Sequence, residues 1–219
     1  MIIAKLIAVA LIGYLLGSIP WGKIVAERTT NSDISTLGSR RTGATNVLRT
    51  SGKKAAITVA ILDVGKGTLA VYVARLIFSG EYAAIGDSGL LWVASSAQVL
   101  AALAAVFGHT WPLFNKFKGG RGVATFMGGL ILLCTPAALF AGEILIICAL
   151  LTRYMSLGSI IGAVSAYTIL IPLTIIYGFP IEYLAYALAG AIFIIVMHRD
   201  NIVRLLAGTE RKLGEKVEM

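Results

Sequence analysis

Three separate segments of the chain combine glycine with basic side chains and with Asn, Thr, Ser or His donors. They cover residues 38–49, 108–122 and 198–210. Glycines let backbone N–H groups come close to a ligand, and arginine or lysine adds charge-assisted hydrogen bonds. A phosphate group is well suited to both kinds of donor. If all three segments lie on one side of a membrane, they can form one phosphate-binding pocket.

The first segment joins a glycine-rich turn to the start of a short helix, which we predict over residues 44–49. Free N–H groups at a helix start attract anions, and Arg49 lies one turn further along the same face. No Gly-Lys-Ser/Thr sequence follows, so the segment is not a P-loop. A plain turn with a helix cap is the alternative. The candidate binding or catalytic residues of this segment are Gly38, Ser39, Arg41, Gly43, Thr45, Asn46 and Arg49.

The second segment places three glycines directly before an apolar run. A cation at a helix N-terminus is disfavoured by the helix dipole, so Arg121 at this position indicates an anionic ligand or a distant partner. We interpret His109 as a turn residue before Trp111 and Pro112. The candidate site residues of this segment are Lys118, Gly119, Gly120, Arg121 and Gly122.

The third segment begins with His198, which is a candidate general base. The alternative is a histidine that only makes hydrogen bonds at the membrane interface. We predict Asn201 beside it as a catalytic residue, and Arg204 and Glu210 as further parts of the binding site. No carboxylate cluster suited to Mg²⁺ is present, and we expect no metal, no cofactor and no nucleic-acid partner.

The composition predicts a membrane protein. The chain is 58% hydrophobic and only 14% charged, whereas soluble domains carry about 25% charged residues. Several apolar runs approach the ~20 residues that cross a bilayer. We therefore predict an all-α, polytopic membrane protein in one domain, residues 1–219. Its seven predicted transmembrane helices are about residues 2–22, 55–79, 88–108, 122–134, 138–152, 156–177 and 180–197.

The distribution of basic residues predicts the orientation. Lysines and arginines concentrate in residues 23–54, in residues 116–121, at Arg153 and in the C-terminal tail. The positive-inside rule then places the N-terminus outside and the C-terminus in the cytoplasm. Membrane topology alone explains most of these cations. It does not explain the Gly, Asn, Thr and His residues that lie among them.

A few polar residues fall inside the predicted spans. Asp63 and Lys66 are spaced to form a pair, and this pair either holds helices together or lines the site. Glu143 is a lone carboxylate for which the sequence offers no partner. Gly158 and Gly162 have the spacing of a contact between membrane helices.

Taken together, the three segments resemble the PlsY family, the bacterial acyl-phosphate:glycerol-3-phosphate acyltransferases. The family pattern G-S-G-N-x-G-A-T-N-x-x-R is similar to residues 38–49. The pattern G-H-x-x-P-x-F-x-x-F-K-G-G-K-G-V-A-T is similar to residues 108–125, and H-R-x-N-I-x-R-L-x-x-G-x-E-x-K is similar to residues 198–212. An Asp-x-x-Lys-Gly match begins at Asp63. The resemblance covers nearly the whole chain in order.

The resemblance implies a seven-helix, multi-pass enzyme of the bacterial cytoplasmic membrane. It would transfer a fatty acyl group from acyl phosphate to the 1-hydroxyl of glycerol 3-phosphate, giving lysophosphatidic acid and phosphate. We expect a monomer that contacts membrane lipid. An organic-anion or organophosphate transporter is the alternative. Carried over by motif position, the residues lining the site would be Ser39, Thr45, Asn46, Arg49, Lys118, Arg121, His198 and Asn201.

We further expect Arg49 and Lys118 to hold glycerol 3-phosphate, and residues 38–46 with Arg121 to hold the acyl phosphate. The chain departs from the family pattern at two places. Arg40 and Arg41 stand where the pattern has glycine and asparagine, and Arg121 replaces a lysine. Arginine keeps the charge of lysine but differs in reach and geometry.

Overall fold

The computed structural model describes residues 2–30, 33–80 and 88–215. In these residues the regular secondary structure consists of α-helices and one 3₁₀ turn, and no strand occurs. The all-α prediction is therefore confirmed. The α-helices are α1 (Ile2–Gly17), α2 (Trp21–Thr30), α3 (Ala44–Ser51), α4 (Lys53–Ile77), α5 (Ser88–Thr110), α6 (Val123–Leu133), α7 (Thr135–Thr152), α8 (Met155–Tyr177), α9 (Ile181–Met197) and α10 (Arg199–Leu206), with a 3₁₀ turn at Leu113–Asn115.

In the described residues, five helical stretches are long and apolar enough to cross a membrane. A sixth is added if α9 and α10, which meet at a bend of 61°, count as one crossing. The predicted span 122–134 corresponds to α6, whose 11 residues cover only about 16 Å. A hydrocarbon core is about 30 Å thick, so α6 cannot cross it alone.

The break between α6 and α7 lies one turn earlier than the sequence indicates. We expected Pro136 to form the turn and the next span to begin at residue 138. Instead, Cys134 separates the two helices, and Pro136 lies in the first turn of α7. Proline is tolerated there because the first N–H groups of a helix have no partner within the helix.

Small residues let the helices pack closely. A β-carbon added at Gly17 would overlap the carbonyl oxygen of Ala105, so α1 and α5 touch backbone to backbone. On the other side of the bundle, a β-carbon at Gly158 would lie 2.6 Å from the carbonyl oxygen of Leu145 in α7. The predicted helix contact of Gly158 is therefore confirmed.

The three motif segments lie at one end of the bundle. α1 and α5 run parallel, and the Tyr14 hydroxyl donates to the carbonyl of Trp111 just beyond α5 (2.8 Å). The tail also reaches the first segment, because Arg49 Nη2 donates to the carbonyl of Arg211 (3.3 Å). We call the end that carries residues 38–52, 108–122 and 198–215 the motif end.

Candidate active site

Glu210 is a buried carboxylate at the centre of the motif end, only 8% exposed. It accepts hydrogen bonds from Asn201 Nδ2 (2.6 Å), Ser156 Oγ (2.9 Å) and Arg204 Nε (2.8 Å). Burial alone would raise the pKa of Glu210, but the hydrogen bonds from Asn201, Arg204 and Ser156 together lower it. Glu210 is therefore an ionised anchor that joins the tail to α8 and α10.

The chain reaches Glu210 through a left-handed turn after α10. Gly208 has φ +69°, a conformation that glycine adopts without strain. The N–H of Thr209 then bonds the carbonyl of Arg204 (2.9 Å), which closes the turn. Further on, the N–H of Leu213 donates to the carbonyl of Arg153 (2.6 Å). The tail thus packs back over the start of α8.

Arginines from all three segments gather around this anchor. Glu210 lies within electrostatic range of both Arg49 and Arg121, and Arg41 lies near Arg121. Burial, followed by the charge of Arg41, lowers the pKa of Arg121 to about 10. Burial and the charge of Arg211 lower the pKa of Arg49. We call Arg41, Arg49, Arg121 and Arg204 the arginine cluster.

The arginine cluster contains more hydrogen-bond donors than the neighbouring acceptors satisfy. Within the described part of the chain, the buried Nε atoms of Arg49 and Arg121 have no hydrogen-bond partner. Desolvated donors without partners are costly, and a bound anion would satisfy them. Glu210, with weaker effects of Asp200 on Arg121 and of Glu215 on Arg49, leaves the four guanidinium groups in excess of their nearby carboxylates. The geometry can therefore hold a ligand with at least one phosphate group.

Asn46 holds the first segment in shape. Its Nδ2 donates to the carbonyls of Arg41 (2.9 Å) and Leu37 (3.1 Å), and its Oδ1 accepts the N–H of Ser39 (2.9 Å). The side chain is 2% exposed. We predicted Asn46 as a substrate donor, but its polar atoms are already used by the segment itself. It positions the loop whose half-buried residues include Ser39 and Thr45.

Arg40 occupies the position of the family's glycine in a left-handed conformation. Its φ is +56°, so the turn keeps the shape that a glycine would give, at a cost of roughly 1–2 kcal/mol. Gly38, two residues earlier, is also left-handed, with φ +59°. Gly43 has open space beside its α-carbon and caps α3. Replacing the family's asparagine, Arg41 adds a cation to the cluster while its carbonyl still serves Asn46.

The glycines of the second segment pack against His109. The N–H of Gly120 donates to the His109 carbonyl (3.1 Å). A β-carbon at Gly119 would overlap the same carbonyl, and one at Gly120 would overlap the imidazole ring. We predicted both glycines to cradle phosphate, but the N–H of Gly120 is already used within the segment. Gly122, with φ +86°, turns the chain into α6 and places Arg121 just before it.

Lys118 does not join the arginine cluster by any contact in the described structure. Its side chain is exposed. Its charge is felt at Asp33, whose pKa is lowered mainly by hydrogen bonds from Ser35 and more weakly by the charges of Lys23 and Lys118. The part of the chain that the structure describes gives the Lys118 side chain no hydrogen bond or ion pair, and its role in holding glycerol 3-phosphate stays a prediction.

Beneath the glycines lies a buried ionic network. Asp63 Oδ1 lies 2.9 Å from Lys66 Nζ and 3.3 Å from His109 Nδ1. Lys66 Nζ also donates to the carbonyl of Ile19, where α1 meets α2 (3.1 Å). All three side chains are at most 5% exposed. The pair holds helices together, and our interpretation of His109 as a simple turn residue was wrong.

His198 lies at the junction of α9 and α10, with 2% of its surface exposed. Its Nδ1 bonds the carbonyl of Ile194 (2.8 Å). Because a carbonyl only accepts, Nδ1 carries the proton and Nε2 is left as the acceptor. Burial and the nearby charge of Arg121 lower the pKa of His198 to about 4. The ring is therefore neutral at pH 7 and a weak base.

Ser156 is a site residue that its sequence context does not reveal. This residue is the second in α8, and its hydroxyl bonds Glu210 across 54 positions of sequence. The only signal was a small polar residue at the start of an apolar run, which is common and unspecific. Asn201, by contrast, was identified, and its Oδ1 is buried without a partner in the described residues.

These features define a polytopic membrane protein with an arginine-lined candidate anion site at one end of its helices. A family model described as glycerol-3-phosphate acyltransferase matches residues 7–208. The chain belongs to the glycerol-3-phosphate acyltransferase family. It is 59% identical over 216 residues, 99% of each chain, to glycerol-3-phosphate acyltransferase 3 of Dehalococcoides mccartyi strain CBDB1. It is 40% identical over 214 residues, 98% of each chain, to the glycerol-3-phosphate acyltransferase of Shouchella clausii strain KSM-K16.

Two solved structures share the fold. The crystal structure of PlsY, an integral membrane glycerol 3-phosphate acyltransferase in its glycerol 3-phosphate form, superposes with a TM-score of 0.80. It is 35% identical, with 95% of this chain and 96% of that chain covered. The lysophosphatidic acid form gives a TM-score of 0.77 at 34% identity, with 95% of each chain covered. The resemblance to the PlsY family is confirmed.

Proposed function

We propose that the chain transfers a fatty acyl group from acyl phosphate to the 1-hydroxyl of glycerol 3-phosphate. The products are lysophosphatidic acid and inorganic phosphate. The observation that carries this proposal is the convergence of Arg41, Arg49, Arg121 and Arg204 at the motif end. Two phosphate groups must lie side by side for this reaction, and several cations are needed to offset their repulsion. Each charge-assisted hydrogen bond contributes roughly 1.5–3 kcal/mol.

The chemistry suits a site made of cations and hydrogen-bond donors. Acyl phosphate is a mixed anhydride, so phosphate is already a good leaving group. The glycerol oxygen attacks the carbonyl carbon, a new C–O ester bond forms, and the C–O bond to phosphate breaks. The departing phosphate keeps the electron pair. Positioning of the two substrates and stabilisation of negative charge then supply most of the rate enhancement.

The hydroxyl proton passes to a substrate phosphate in this proposal. His198 has a pKa of about 4, far from the operating pH that suits a general base. We assign His198 and Asn201 to positioning, beside Glu210. Arg49 and Arg121 carry the unpartnered buried Nε atoms, and we assign them to the two phosphates. Ser39 and Thr45, half-buried on the braced first segment, supply further donors.

We also propose seven passes, with the N-terminus outside and the motif end in the cytoplasm of a bacterial inner membrane. In this topology α6, with its flanking residues, completes the seventh pass although its helix alone is short. The basic residues of the motif end support the orientation through the positive-inside rule. A cytoplasmic motif end also gives the site access to a water-soluble substrate, while the acyl chain stays among the helices and lipid.

The proposal is tested with the purified protein in detergent. Supplied with acyl phosphate and glycerol 3-phosphate, it should release phosphate and lysophosphatidic acid in equal amounts, and acyl-CoA should not replace the donor. A transporter would give no product without a sealed vesicle. Absence of turnover by protein that is folded, as judged by its melting transition, would refute acyl transfer.

Variants test the assignment of Arg121. Arg121→Gln should lower kcat/KM by about ten- to a hundredfold, because one charge-assisted interaction is lost. The matched control is Lys54→Gln, which removes an exposed cation near the start of α4 and should leave turnover unchanged. Equal activity in the two variants would contradict the role of Arg121.

A further inference from the structure

A cavity of about 430 Å³ opens at the end of the bundle opposite the motif end. It lies between the last turn of α4, the break between α6 and α7, and the turn between α8 and α9. Within the described part of the chain, Arg75 is the only charged residue that lines it. The other lining residues include Thr135, Pro136, Tyr177, Phe179 and Tyr183. None of these residues belongs to the motif segments or to the arginine cluster.

Arg75 lies at the depth of lipid head groups. It follows Lys53, the first residue of α4, by 22 residues, which is about 33 Å along the helix axis. A hydrocarbon core is about 30 Å thick. With the start of α4 at one membrane surface, Arg75 therefore lies close to the opposite surface, where phospholipid phosphates are found. Tyr177, at the rim of the same cavity, is 72% exposed, and tyrosine is typical of this level.

The protein holds the Arg75 guanidinium in place but uses only part of it. Its Nε donates to Gln98 Oε1 (2.9 Å), and its Nη2 donates to the carbonyl of Leu132 near the end of α6. Gln98 is 1% exposed, and its Oε1 also accepts the hydroxyl of Tyr183 (3.3 Å). A guanidinium has five N–H donors. Three of them therefore remain for a ligand in the cavity.

The charge of Arg75 has no carboxylate partner among the residues that the structure describes. Both of its acceptors are neutral groups, and Glu182, in the first turn of α9, does not line the cavity. Arginine cannot lose its proton in a protein. The first turns of α7 and α9 border the cavity through Pro136 and Tyr183 and add the partial positive charge of helix N-termini. The cavity therefore suits an anion, and phosphate oxygens match the donor geometry of arginine.

We propose that this cavity binds a phosphate group, with Arg75 as the charged donor and the phosphodiester of a membrane phospholipid as the source. The depth of Arg75 favours a lipid over phosphate from solution. A bound head group would join the break between α6 and α7 to the turn between α8 and α9. Its role is to stabilise the bundle, since the acyl-transfer site lies at the other end of α4.

Protection of an engineered thiol tests the site. Thr135→Cys, in a Cys134→Ala and Cys148→Ala background, places an accessible thiol on the cavity wall, because Thr135 is exposed. Its alkylation by a water-soluble maleimide is followed in detergent micelles that contain phosphatidylglycerol, diacylglycerol with the same acyl chains, or inorganic phosphate. We expect phosphatidylglycerol to slow alkylation at least about fivefold once the site is mostly occupied, and diacylglycerol to leave the rate unchanged.

The inorganic phosphate sample identifies the source of the phosphate group. No slowing by inorganic phosphate supports a lipid ligand, whereas slowing by inorganic phosphate alone supports the phosphate site and assigns it to an ion from solution. Equal rates in all samples, or equal slowing by diacylglycerol and phosphatidylglycerol, would overturn the proposal.

Two variants separate Arg75 from a general effect of charge. In the Thr135→Cys background, Arg75→Gln should lose the protection by phosphatidylglycerol. The matched control is Lys5→Gln, which removes a cation at the same end of the bundle, where Lys5 Nζ lies over the ring of Phe78 (5.4 Å); it should keep the protection. Protection that survives Arg75→Gln would refute the role of Arg75. Acyl transfer in detergent reports whether Arg75→Gln folds, and if it does not, the lipid comparison with Arg75 intact decides the matter.

Discussion

The buried network of Asp63, Lys66 and His109 gives a prediction with a defined magnitude. Asp63→Asn keeps the shape of the side chain but removes the charge that faces Lys66 at 2.9 Å and His109 at 3.3 Å. Lys66 would then remain in a site where its side chain is only 4% exposed, with the Ile19 carbonyl as its other acceptor. Breaking a buried ion pair by removing one partner costs about 3–5 kcal/mol of unfolding free energy.

The double substitution provides the control. Asp63→Asn with Lys66→Met removes both charges, and a buried pair replaced by uncharged groups is often nearly neutral. We therefore expect the double variant to be more stable than Asp63→Asn alone, although it carries one more change. The measurement is the free energy of unfolding in mixed micelles titrated with denaturing detergent, for all four members of the cycle.

Two results would refute this reasoning. The first is a loss below about 1 kcal/mol for Asp63→Asn, which is the range of an exposed pair. The second is a double variant that loses the sum of both single losses, which would mean that the two groups do not interact. If Asp63→Asn lowers kcat but leaves the melting transition unchanged, the main effect of the network is on the glycines that pack over His109.

Three further predictions concern the motif end. Arg40→Gly should unfold with about 1 kcal/mol more free energy than Arg40→Ala, because only glycine adopts φ +56° without strain; equal stabilities by the same titration would contradict this. Glu210→Gln should destabilise the fold by roughly 1.5–3 kcal/mol, because the charge-assisted bond from Arg204 is lost. Arg204→Gln should cost less, because the Glu210 carboxylate then keeps its hydrogen bonds from Asn201 and Ser156. Stability should fall as the pH drops from about 6.5 towards 4, because unfolded His198 binds a proton below pH ~6.5 while the folded residue, with a pKa of about 4, does not; a melting curve for His198→Asn with the same pH slope would exclude this residue as the cause.

Hydropathy predicted the helical class and most of the helices, because an apolar run of sufficient length has few other stable structures in a bilayer. It was less successful between residues 122 and 152. There the apolar run is continuous, and nothing in its composition tells whether the break lies at Cys134 or at Pro136. The number of crossings depends on the 11-residue helix α6, whose length follows from its packing against neighbouring helices.

The candidate site was predictable in location but not in detail. Gly, Arg and Asn residues marked the correct segments, yet the same amide that can hold a substrate can hold its own loop, as Asn46 does. Likewise, the sequence could not show that Gly120 packs on His109. Contacts over long separations, such as Ser156 with Glu210, leave no local pattern. A single chain therefore reveals which residues have the right chemistry, and the fold decides which of them remain free.

The shortness of α6 has a consequence for how a hydrophobic substrate reaches the site. Gly67 of α4 touches Thr125 near the start of α6, and it lies 14 residues after Lys53, where α4 begins. This offset corresponds to a depth of about 21 Å along the helix axis. The start of α6 at Thr125 therefore lies well below the end of α4 at that face. A fatty acyl chain that stays in the membrane leaflet could present its reactive carbonyl laterally at this depth, without first moving into water.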